Sequence, residues 1–426
     1  MSENQQNPHT PQISENPTQS IATEQPPVQP VIPQDPYKAA IMPTYGRFDV
    51  TFVKGKGATL WDDKGEAYLD FVSGVAVNAL GHAHPEIVDT ICHQAANLMH
   101  ISNLYWNAPQ LKLAKSLADL SNGDLNQVFF CNSGTEALEG ALKLARKYGQ
   151  KRGAAKIAHL SNSFHGRTMG ALSVTGQEKY QAPFRPLIPE VYEFPANDVA
   201  ALASLDSTFC AILVEPIQGE GGVNTIQESY LLALKTICEQ HDILLIFDEV
   251  QTGIGRLGTF YAYQSFNVVP DVVCLAKGLG CGFPIGAIVA STKASVLAGG
   301  DHGSTFGGNP LATAVACKAV EIISNPEFLI GIQEKTKNLT QKLKDLADGR
   351  LILNVKGLGL LIGLDLGITS KKFNEKAFAN KLLLIPAGEN VIRVLPPLNV
   401  SDEEIDLLIE KLTSILTALK EEKVEV

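Results

Sequence analysis

The stretch Ile243-Leu-Leu-Ile-Phe-Asp-Glu-Val-Gln251 decides the fold. It begins as an unbroken apolar run and changes abruptly to acidic and polar residues at Asp248. A short apolar run without alternation is typical of a strand that is buried on both faces of a parallel sheet. Asp248 then follows the carboxyl end of that strand, where open α/β sheets bind their ligands. A helix cap is the alternative role for an aspartate at this place.

Other short apolar runs of the same kind lie on both sides of this stretch. They are Gln127–Cys131, Lys156–Leu160, Cys210–Val214 and Val272–Leu275. Helix-like segments separate them, and this alternation predicts an α/β domain with a mainly parallel sheet.

The two ends of the chain have different patterns. Gly57–Phe71 alternates apolar and polar residues around a turn, which predicts a β-hairpin or meander. After Asn309 the pattern indicates a helical run, then a single strand over Gly357–Leu366, and finally an amphipathic helix over Asp402–Lys420. These segments predict a second, smaller α+β domain.

We therefore divide the chain into four segments. Residues 1–36 are rich in Pro, Gln, Asn, Ser and Thr, and a composition with so little apolar surface predicts a disordered tail. We expect residues 37–80 to form the N-terminal part of the small domain, residues 81–308 the large domain, and residues 309–426 the C-terminal part of the small domain.

Composition excludes several classes of protein. The 426 residues carry a net charge of -10, which argues against a nucleic-acid binder. No apolar run approaches the ~20 residues of a membrane helix. The seven cysteines contain no Cys-x-x-Cys pair, so they predict neither a disulfide framework nor a metal site, and a reducing compartment fits them best.

A phosphate-type turn follows the first strand of the predicted sheet. Ser133-Gly-Thr-Glu-Ala137 opens a helix with small residues, and a helix start offers free N–H groups and a positive dipole end to an anion. Ser133 and Glu136 also match a capping box. The two interpretations are compatible, because capping shapes the same turn.

A lysine follows the last strand of the predicted sheet. Lys277 comes directly after Val272–Leu275 in an apolar, glycine-rich setting. Desolvation lowers the pKa of such an amine and makes it nucleophilic, as a Schiff-base lysine requires. Taken alone, Lys277 is more typical of an ordinary loop lysine, so the order of the motifs carries the argument.

That order is a phosphate-type turn, an aromatic residue, an acid after a strand, and a lysine after the next strand. It resembles the class-III aminotransferases, which share fold-type I of the pyridoxal-phosphate enzymes. The matching text runs from about residue 43 to residue 410. It includes Asn78-Ala-Leu-Gly-His-Ala-His-Pro85, Ser133-Gly-Thr-Glu-Ala137, Phe164-His-Gly-Arg-Thr168, Glu215-Pro-Ile-Gln-Gly-Glu-Gly-Gly222, Asp248-Glu-Val-Gln-Thr-Gly253 and Ser304-Thr-Phe-Gly-Gly-Asn-Pro310.

The resemblance implies a cofactor and the residues that hold it. Pyridoxal 5'-phosphate would be bound to Lys277 as a Schiff base, and the released lysine would move the proton. Asp248 would pair with the pyridinium nitrogen, Gln251 would lie beside the phenolic oxygen, and Phe164 would stack on the ring. The phosphate would be held by the turn residues Ser133, Gly134 and Thr135. Thr305 would reach the phosphate of a partner subunit, so we expect a homodimer with shared active sites.

The same resemblance implies the substrate contacts. Arg167 would clamp a substrate carboxylate, which a planar guanidinium binds with two hydrogen bonds. Ser304 would contact the donor. Glu215 would pair with Arg393 while the amino donor is bound, and would then release Arg393 to the carboxylate of 2-oxoglutarate.

Three regions restrict the choice of amino-donor substrate. They are Tyr45-Gly-Arg47, the segment from Asp248 to Gln264, and the segment from Pro386 to Pro396. By resemblance they imply transfer of the δ-amino group of N2-acetyl-L-ornithine to 2-oxoglutarate, in arginine biosynthesis in the cytoplasm. Ornithine, succinylornithine and 4-aminobutyrate are alternative donors. An aminomutase and a non-catalytic binding protein are alternative classes.

One stretch departs from the family pattern. Gly278-Leu-Gly-Cys-Gly282 carries Cys281 where relatives usually have a run of glycines. We expect no loss of chemistry, but a thiol beside the cofactor loop predicts sensitivity to alkylation.

Overall fold

The computed structural model describes residues 35–422. The predicted disordered tail therefore lies outside the described residues, except for its last two positions. Residues 35–50 belong to one compact unit and residues 51–422 to another. In the first unit, the Asp35 carboxylate accepts the N–H of Tyr37 at 2.8 Å and so caps a single helical turn that begins at Pro36.

The elements are numbered in chain order. The helices are α1 (Pro36–Ala39), α2 (Ser73–Ala76), α3 (Pro85–Asn97), α4 (Ala108–Leu120), α5 (Gly134–Gln150), α6 (Met169–Ser173), α7 (Glu178–Gln181), α8 (Glu228–His241), α9 (Pro310–Ile323), α10 (Pro326–Leu346), α11 (Ser370–Ala379) and α12 (Asp402–Glu421). The strands are β1 (Phe52–Lys56), β2 (Thr59–Asp62), β3 (Ala67–Asp70), β4 (Gln127–Cys131), β5 (Lys156–Leu160), β6 (Val191–Phe194), β7 (Phe209–Val214), β8 (Ile217–Gln218), β9 (Asn224–Thr225), β10 (Leu244–Asp248), β11 (Val272–Leu275), β12 (Gly286–Ala290), β13 (Ile352–Leu358), β14 (Leu361–Leu366), β15 (Leu382–Leu383), β16 (Ile385–Pro386) and β17 (Val391–Val394).

The central sheet has seven strands in the order β4-β12-β11-β10-β7-β5-β6. β12 is antiparallel to both of its neighbours, and the pairs among β11, β10, β7, β5 and β6 are parallel. β7 and β10 are buried along their whole length, as their unbroken apolar sequences require. The predicted α/β domain with a mainly parallel sheet is confirmed.

A second sheet joins the two ends of this unit. β1, β2 and β3 form the predicted antiparallel meander, and β15 adds to β3 in parallel. Because β15 comes late in the chain, the N-terminal and C-terminal segments share one sheet. This sharing is compatible with the expected small domain, whose boundaries at residues 80 and 308 stay a prediction.

The predicted single strand over Gly357–Leu366 is wrong. The structure has two antiparallel strands there, β13 and β14, joined by a tight turn at Gly359. Gly359 has a φ of +62°, a conformation that glycine adopts without strain, and any Cβ at this position would collide with the backbone of Leu257. The continuous apolar pattern concealed the turn.

The last helix, α12, agrees with the predicted amphipathic helix. It starts with a complete capping box, in which the Ser401 hydroxyl accepts the N–H of Glu404 and the Glu404 carboxylate accepts the N–H of Ser401. Between residues 35 and 422, no helix combines the length and the apolar character that a membrane span needs.

Candidate active site

Two side chains that the sequence singles out lie at the same edge of the central sheet. Asp248 is the last residue of β10, and its register partner on the neighbouring parallel strand β11 is Cys274. Lys277 follows Cys274 by three positions, just after the end of β11, and both Asp248 and Lys277 line one cavity. The cavity has a volume of about 420 Å³, within the size range of small-molecule sites. Its lining contains Ser133, Gly134, Thr135, Phe164, Arg167, Glu215, Asp248, Gln251 and Lys277.

The N-terminus of α5 forms one wall of this cavity. The Ser133 hydroxyl caps the helix by accepting the N–H of Glu136 at 3.3 Å. The Glu136 carboxylate accepts the N–H of Asn132 and not that of Ser133, so only half of the predicted capping box forms. The N–H groups of Gly134 and Thr135 belong to the first helical turn, where no carbonyl of the same helix precedes them. They are free to bind an anion that enters the cavity.

Lys277 lines the same cavity and is half-buried. It begins a short 3-10 turn, Lys277–Gly280, and has a φ of +43°. Desolvation lowers the pKa of its amine, and the carboxylates of Glu220 and Asp248 oppose this effect only in part. The predicted direction of the shift is confirmed, and it favours the unprotonated, nucleophilic amine.

The Asp248 carboxylate is held through both of its oxygens. Oδ1 accepts the N–H of Val250 at 3.0 Å, and Oδ2 lies 2.8 Å from Nδ1 of the buried His165. No described helix begins at Asp248, so the alternative role as a helix cap is not observed.

The loop that carries Phe164 and Arg167 is tied down on two sides. The N–H of Phe164 donates to Glu215 Oε1 at 2.7 Å, and the N–H of His165 donates to Thr175 Oγ1 at 2.9 Å. The Arg167 guanidinium lies over the ring of Tyr180, 3.9 Å from its centre, at the margin of the cavity. An arginine placed there can meet a substrate carboxylate without crossing the apolar interior.

The predicted pairing of Glu215 with Arg393 is wrong. Arg393 donates to Glu220 Oε1 at 2.8 Å and to Gln251 Oε1 at 3.4 Å. Glu215 instead accepts the N–H of Phe164 through Oε1, and desolvation together with the nearby Asp248 raises its pKa well above the usual value for a glutamate. The chain turns after β8, and this turn brings Glu220, not Glu215, to the strand that bears Arg393.

Glu220 is therefore a site residue that sequence reasoning missed. The sequence did contain a clue to this residue, because Glu220 lies five positions after Glu215 in the same glycine-rich motif. It lines the cavity together with His165, which was also missed.

A strained turn precedes another residue of the cavity wall. Ser73, Gly74, Val75 and Ala76 all have φ values between +50° and +65°, and Val77 then enters the cavity lining. The left-handed conformation costs roughly 1–2 kcal/mol for each residue that has a Cβ. Only Gly74 hinted at such a turn in the sequence.

Ser304 and Thr305 do not line the cavity of the chain that contains them. Ser304 Oγ accepts from Asn132 Nδ2 at 3.2 Å and from the N–H of Gly307 at 2.9 Å, and Thr305 is exposed. Their roles toward a substrate and toward a partner's phosphate stay predictions.

Cys281 is poorly suited to the predicted thiol reactivity. Its side chain is buried and donates to the Gly278 carbonyl at 3.3 Å. Burial raises the pKa of this thiol to about 12, so the reactive thiolate is scarce at neutral pH.

The residues that line the cavity have the chemistry needed to bind pyridoxal 5'-phosphate. A helix N-terminus suits the phosphate, a carboxylate held by two donors suits a protonated ring nitrogen, and an amine of lowered pKa suits a carbonyl carbon. The aromatic side chain of Phe164 lies on the same cavity wall as these groups. This fit comes from the chemistry of the residues present.

Comparisons with known proteins agree with this chemistry. The family model described as aminotransferase class-III matches residues 41–416. The chain is 52% identical to the acetylornithine aminotransferase of Clostridium acetobutylicum, over 87% of this chain and 97% of the relative. It is 46% identical to the succinylornithine transaminase of Citrobacter koseri, over 86% and 92% of the two chains.

A solved structure shows the same fold. The ornithine aminotransferase of Toxoplasma gondii superposes with a TM-score of 0.85 at 33% sequence identity, covering 90% of this chain and 93% of that one. The expected fold-type I architecture is thereby confirmed. With the family model spanning nearly all the described residues, the chain belongs to the class-III aminotransferases, enzymes that work with pyridoxal 5'-phosphate.

Proposed function

We propose that this enzyme transfers the δ-amino group of N2-acetyl-L-ornithine to 2-oxoglutarate, giving N-acetyl-L-glutamate 5-semialdehyde and L-glutamate in arginine biosynthesis. One observation carries the proposal: the cavity that Lys277 lines is also lined by Glu220, the ion-pair partner of the buried Arg393, and has a second arginine, Arg167, at its margin. Two arginines suit a reaction in which both substrates carry carboxylates. The 52% identity to an acetylornithine aminotransferase supports the choice of donor.

The cofactor, when bound, supplies an electron sink for the pair released from a substrate C–H bond. Ser133, Gly134 and Thr135 would hold its phosphate, and Phe164 would cover its ring. Asp248 would keep a proton on the ring nitrogen, and Gln251 would meet the phenolic oxygen. These residues share one cavity, which supports their joint assignment.

Lys277 would handle the proton of each half-reaction. Desolvation lowers the pKa of its amine, which favours the unprotonated form that a base requires. In the first half-reaction Nζ takes the proton from the δ-carbon of the donor. In the second it gives a proton to the α-carbon of the new glutamate.

Arg167 and Arg393 would each bind a different substrate carboxylate. Arg167 would bind the carboxylate of the acetylated donor, because it lies at the margin of the cavity. While this donor is present, Glu220 neutralises Arg393. When 2-oxoglutarate enters, Glu220 would leave Arg393 to the second carboxylate of that substrate. Glu220 takes this role in place of Glu215, for which the sequence suggested it.

A homodimer would complete the site. Large apolar side chains are exposed around Ser304 and Thr305: Leu104 at 84%, Trp106 at 83% and Phe306 at 62% of their surface. Asn103 joins the two segments by donating to the carbonyls of Ser304 and Gly307. An exposed apolar surface of this kind suits a protein interface, and a second copy placed there would bring its Thr305 near the phosphate. The free cysteines suit a reducing cytoplasm.

Single-turnover half-reactions test the donor. Purified holoenzyme would be mixed with acetylornithine, succinylornithine, ornithine or 4-aminobutyrate, and the loss of the visible cofactor band would be followed. We expect acetylornithine to give the largest second-order rate constant. A larger constant for ornithine or 4-aminobutyrate would refute the proposal. Turnover without 2-oxoglutarate would indicate an aminomutase.

Succinylornithine is a second candidate donor. The 46% identity to a succinylornithine transaminase favours it, and both donors share the acylated α-amino group. The two donors differ in the acyl chain, so their ratio of kcat/KM decides between them. A ratio below one for acetyl over succinyl would move the assignment to succinylornithine.

A further inference from the structure

A buried hydrogen bond lies behind the wall of the cavity. His165 Nδ1 is 2.8 Å from Asp248 Oδ2, and no part of the His165 side chain reaches solvent. A carboxylate only accepts hydrogen bonds, so the hydrogen of this contact sits on Nδ1. The other oxygen of Asp248 accepts only the N–H of Val250 among the described residues. Without His165, the carboxylate would be free to rotate about this single backbone contact.

The imidazole ring is itself held in place. The backbone N–H of His165 donates to Thr175 Oγ1, which in turn donates to the carbonyl of Ala171 at 3.0 Å. Nε2 of His165 is buried and has no hydrogen-bond partner among the described residues. The contact with Asp248 is therefore the hydrogen bond that fixes the ring.

A second histidine stands near His165. His159 is buried on β5, and its pKa falls to about 4, first because of desolvation and second because of the charge of His165. His159 therefore stays neutral at physiological pH. It carries no positive charge that would compete for Asp248.

We propose that His165 is a positioning residue for the cofactor: it fixes the Asp248 carboxylate at the cavity wall, as a preorganised partner for the ring nitrogen. This inference rests on the proposed role of Asp248. A preorganised acceptor loses little freedom when the cofactor binds, so removal of the histidine lowers cofactor affinity.

Cofactor affinity of the full-length protein tests this role. The cofactor would be removed, and the dissociation constant for pyridoxal 5'-phosphate would be measured by absorbance for three variants. His165→Leu removes the donor. His165→Asn places an amide nitrogen near the position of Nδ1, whereas His165→Gln places one near Nε2.

We expect the Leu and Gln variants to bind the cofactor roughly tenfold or more weakly, since a hydrogen bond to a charged group is lost. The Asn variant should recover most of the affinity. An unchanged affinity in His165→Leu overturns the inference, and so does an Asn variant as weak as Gln. If the Leu variant does not fold, the difference in cofactor affinity between the Asn and Gln variants still tests the inference.

A double-mutant cycle separates this inference from the proposed function. We expect Asp248→Asn to weaken cofactor binding, and His165→Leu to add little in that background, because the two residues act as a unit. Additive effects would overturn the role of His165 alone. An Asp248→Asn variant with unchanged cofactor affinity would instead refute the proposed role of Asp248.

Discussion

Arg393 and Glu220 form an ion pair of 2.8 Å whose two members differ in their access to water. The Arg393 side chain is buried, whereas Glu220 keeps 25% of its side-chain surface exposed. A carboxylate that already meets solvent can leave the pair more easily than a guanidinium enclosed by protein. The geometry therefore assigns movement to Glu220 and a fixed position to Arg393.

The variant Glu220→Gln tests this division of roles. Arg393 would lose its neutralising partner, so the amine-donor half-reaction should slow, and the half-reaction with 2-oxoglutarate should be spared. We expect the ratio of the two second-order rate constants to change by about tenfold, the usual size of one charged hydrogen bond.

The variant Glu215→Gln is the matched control for Glu220→Gln. Glu215 accepts the N–H of Phe164, a hydrogen bond that the amide oxygen of glutamine can also accept, whereas Arg393 pairs with Glu220. The ratio of the two half-reactions should therefore stay near that of the wild type. A change in this ratio for Glu215→Gln, but not for Glu220→Gln, would restore the original sequence-based assignment.

Gly134→Ala should weaken cofactor binding. A Cβ at Gly134 would lie 2.8 Å from Val250 Cγ1 and would push the α5 N-terminus away from the neighbouring loop. We expect a loss of about tenfold in affinity for pyridoxal 5'-phosphate, as for one lost hydrogen bond to a charged group. The control is Gly331→Ala in α10, where no atom lies within 4 Å of the new Cβ. That variant should gain up to about 1 kcal/mol of stability and bind the cofactor normally.

Arg256 should be hard to replace even by lysine. It is fully buried, and its Nη1 donates to the carbonyls of Leu360 at 3.1 Å and Pro396 at 2.6 Å. Desolvation lowers its pKa to about 10, so it still carries its charge at neutral pH. Arg256→Lys shortens the side chain and replaces the guanidinium by an ammonium that is more strongly hydrated and therefore costs more to bury, and we expect a fall of about 2–4 kcal/mol in the free energy of unfolding. Urea unfolding measures this fall, with Arg350→Lys as an exposed control; equal stabilities would contradict the assignment.

The buried His159 predicts part of the acid sensitivity of the fold. Its folded pKa of about 4 lies below the unfolded value of 6.5, so the unfolded chain binds the extra proton first. This contribution to stability is present above pH 6.5 and is lost as the pH falls to 4. His159→Gln should remove about 3 kcal/mol of this pH dependence. Unfolding at pH 7 and pH 4.5 gives the value, and His93→Gln serves as the exposed control; a wild-type slope in His159→Gln would count against it.

Mixed dimers test the sharing of the active site. Lys277→Ala and Thr305→Ala should each reduce activity in pure form. A dimer of one protomer of each kind keeps one site in which Lys277 and the partner's Thr305 are both intact. We expect activity to return when the two variants are unfolded and refolded together. Failure to regain activity, with dimers formed, would place Thr305 in its own subunit's site or outside any site.

The sequence predicted five of the seven strands of the central sheet, because a strand buried on both faces has a short unbroken apolar run; β6 and the antiparallel β12 were missed. β4, β5 and β11 begin and end where the runs indicate, and the motifs after these strands meet in one cavity. Residues whose place depends on backbone hydrogen bonding of a regular sheet were thus accessible from sequence alone.

The positions of residues on loops and turns could not be predicted from the sequence in this way. The pairing of Glu220 with Arg393 depends on the turn after β8, and that of His165 with Asp248 depends on a loop held by Thr175. The hairpin at Gly359 was missed because residues 357–364 are apolar residues and glycines on both sides of the turn. A one-dimensional pattern carries no measure of such tertiary constraints.

Asp248 ends β10 and Lys277 follows the end of β11, and this arrangement has a consequence for how such an enzyme can diversify. The parallel pairing of these two strands brings both residues to the same edge of the sheet, apart from the surface loops that select a substrate. Surface loops can therefore be exchanged during evolution, or in a laboratory library, while the reactive pair keeps its spacing. New donor preferences should arise in this scaffold by changes around residues such as Val77 and Arg167 and leave the sheet untouched.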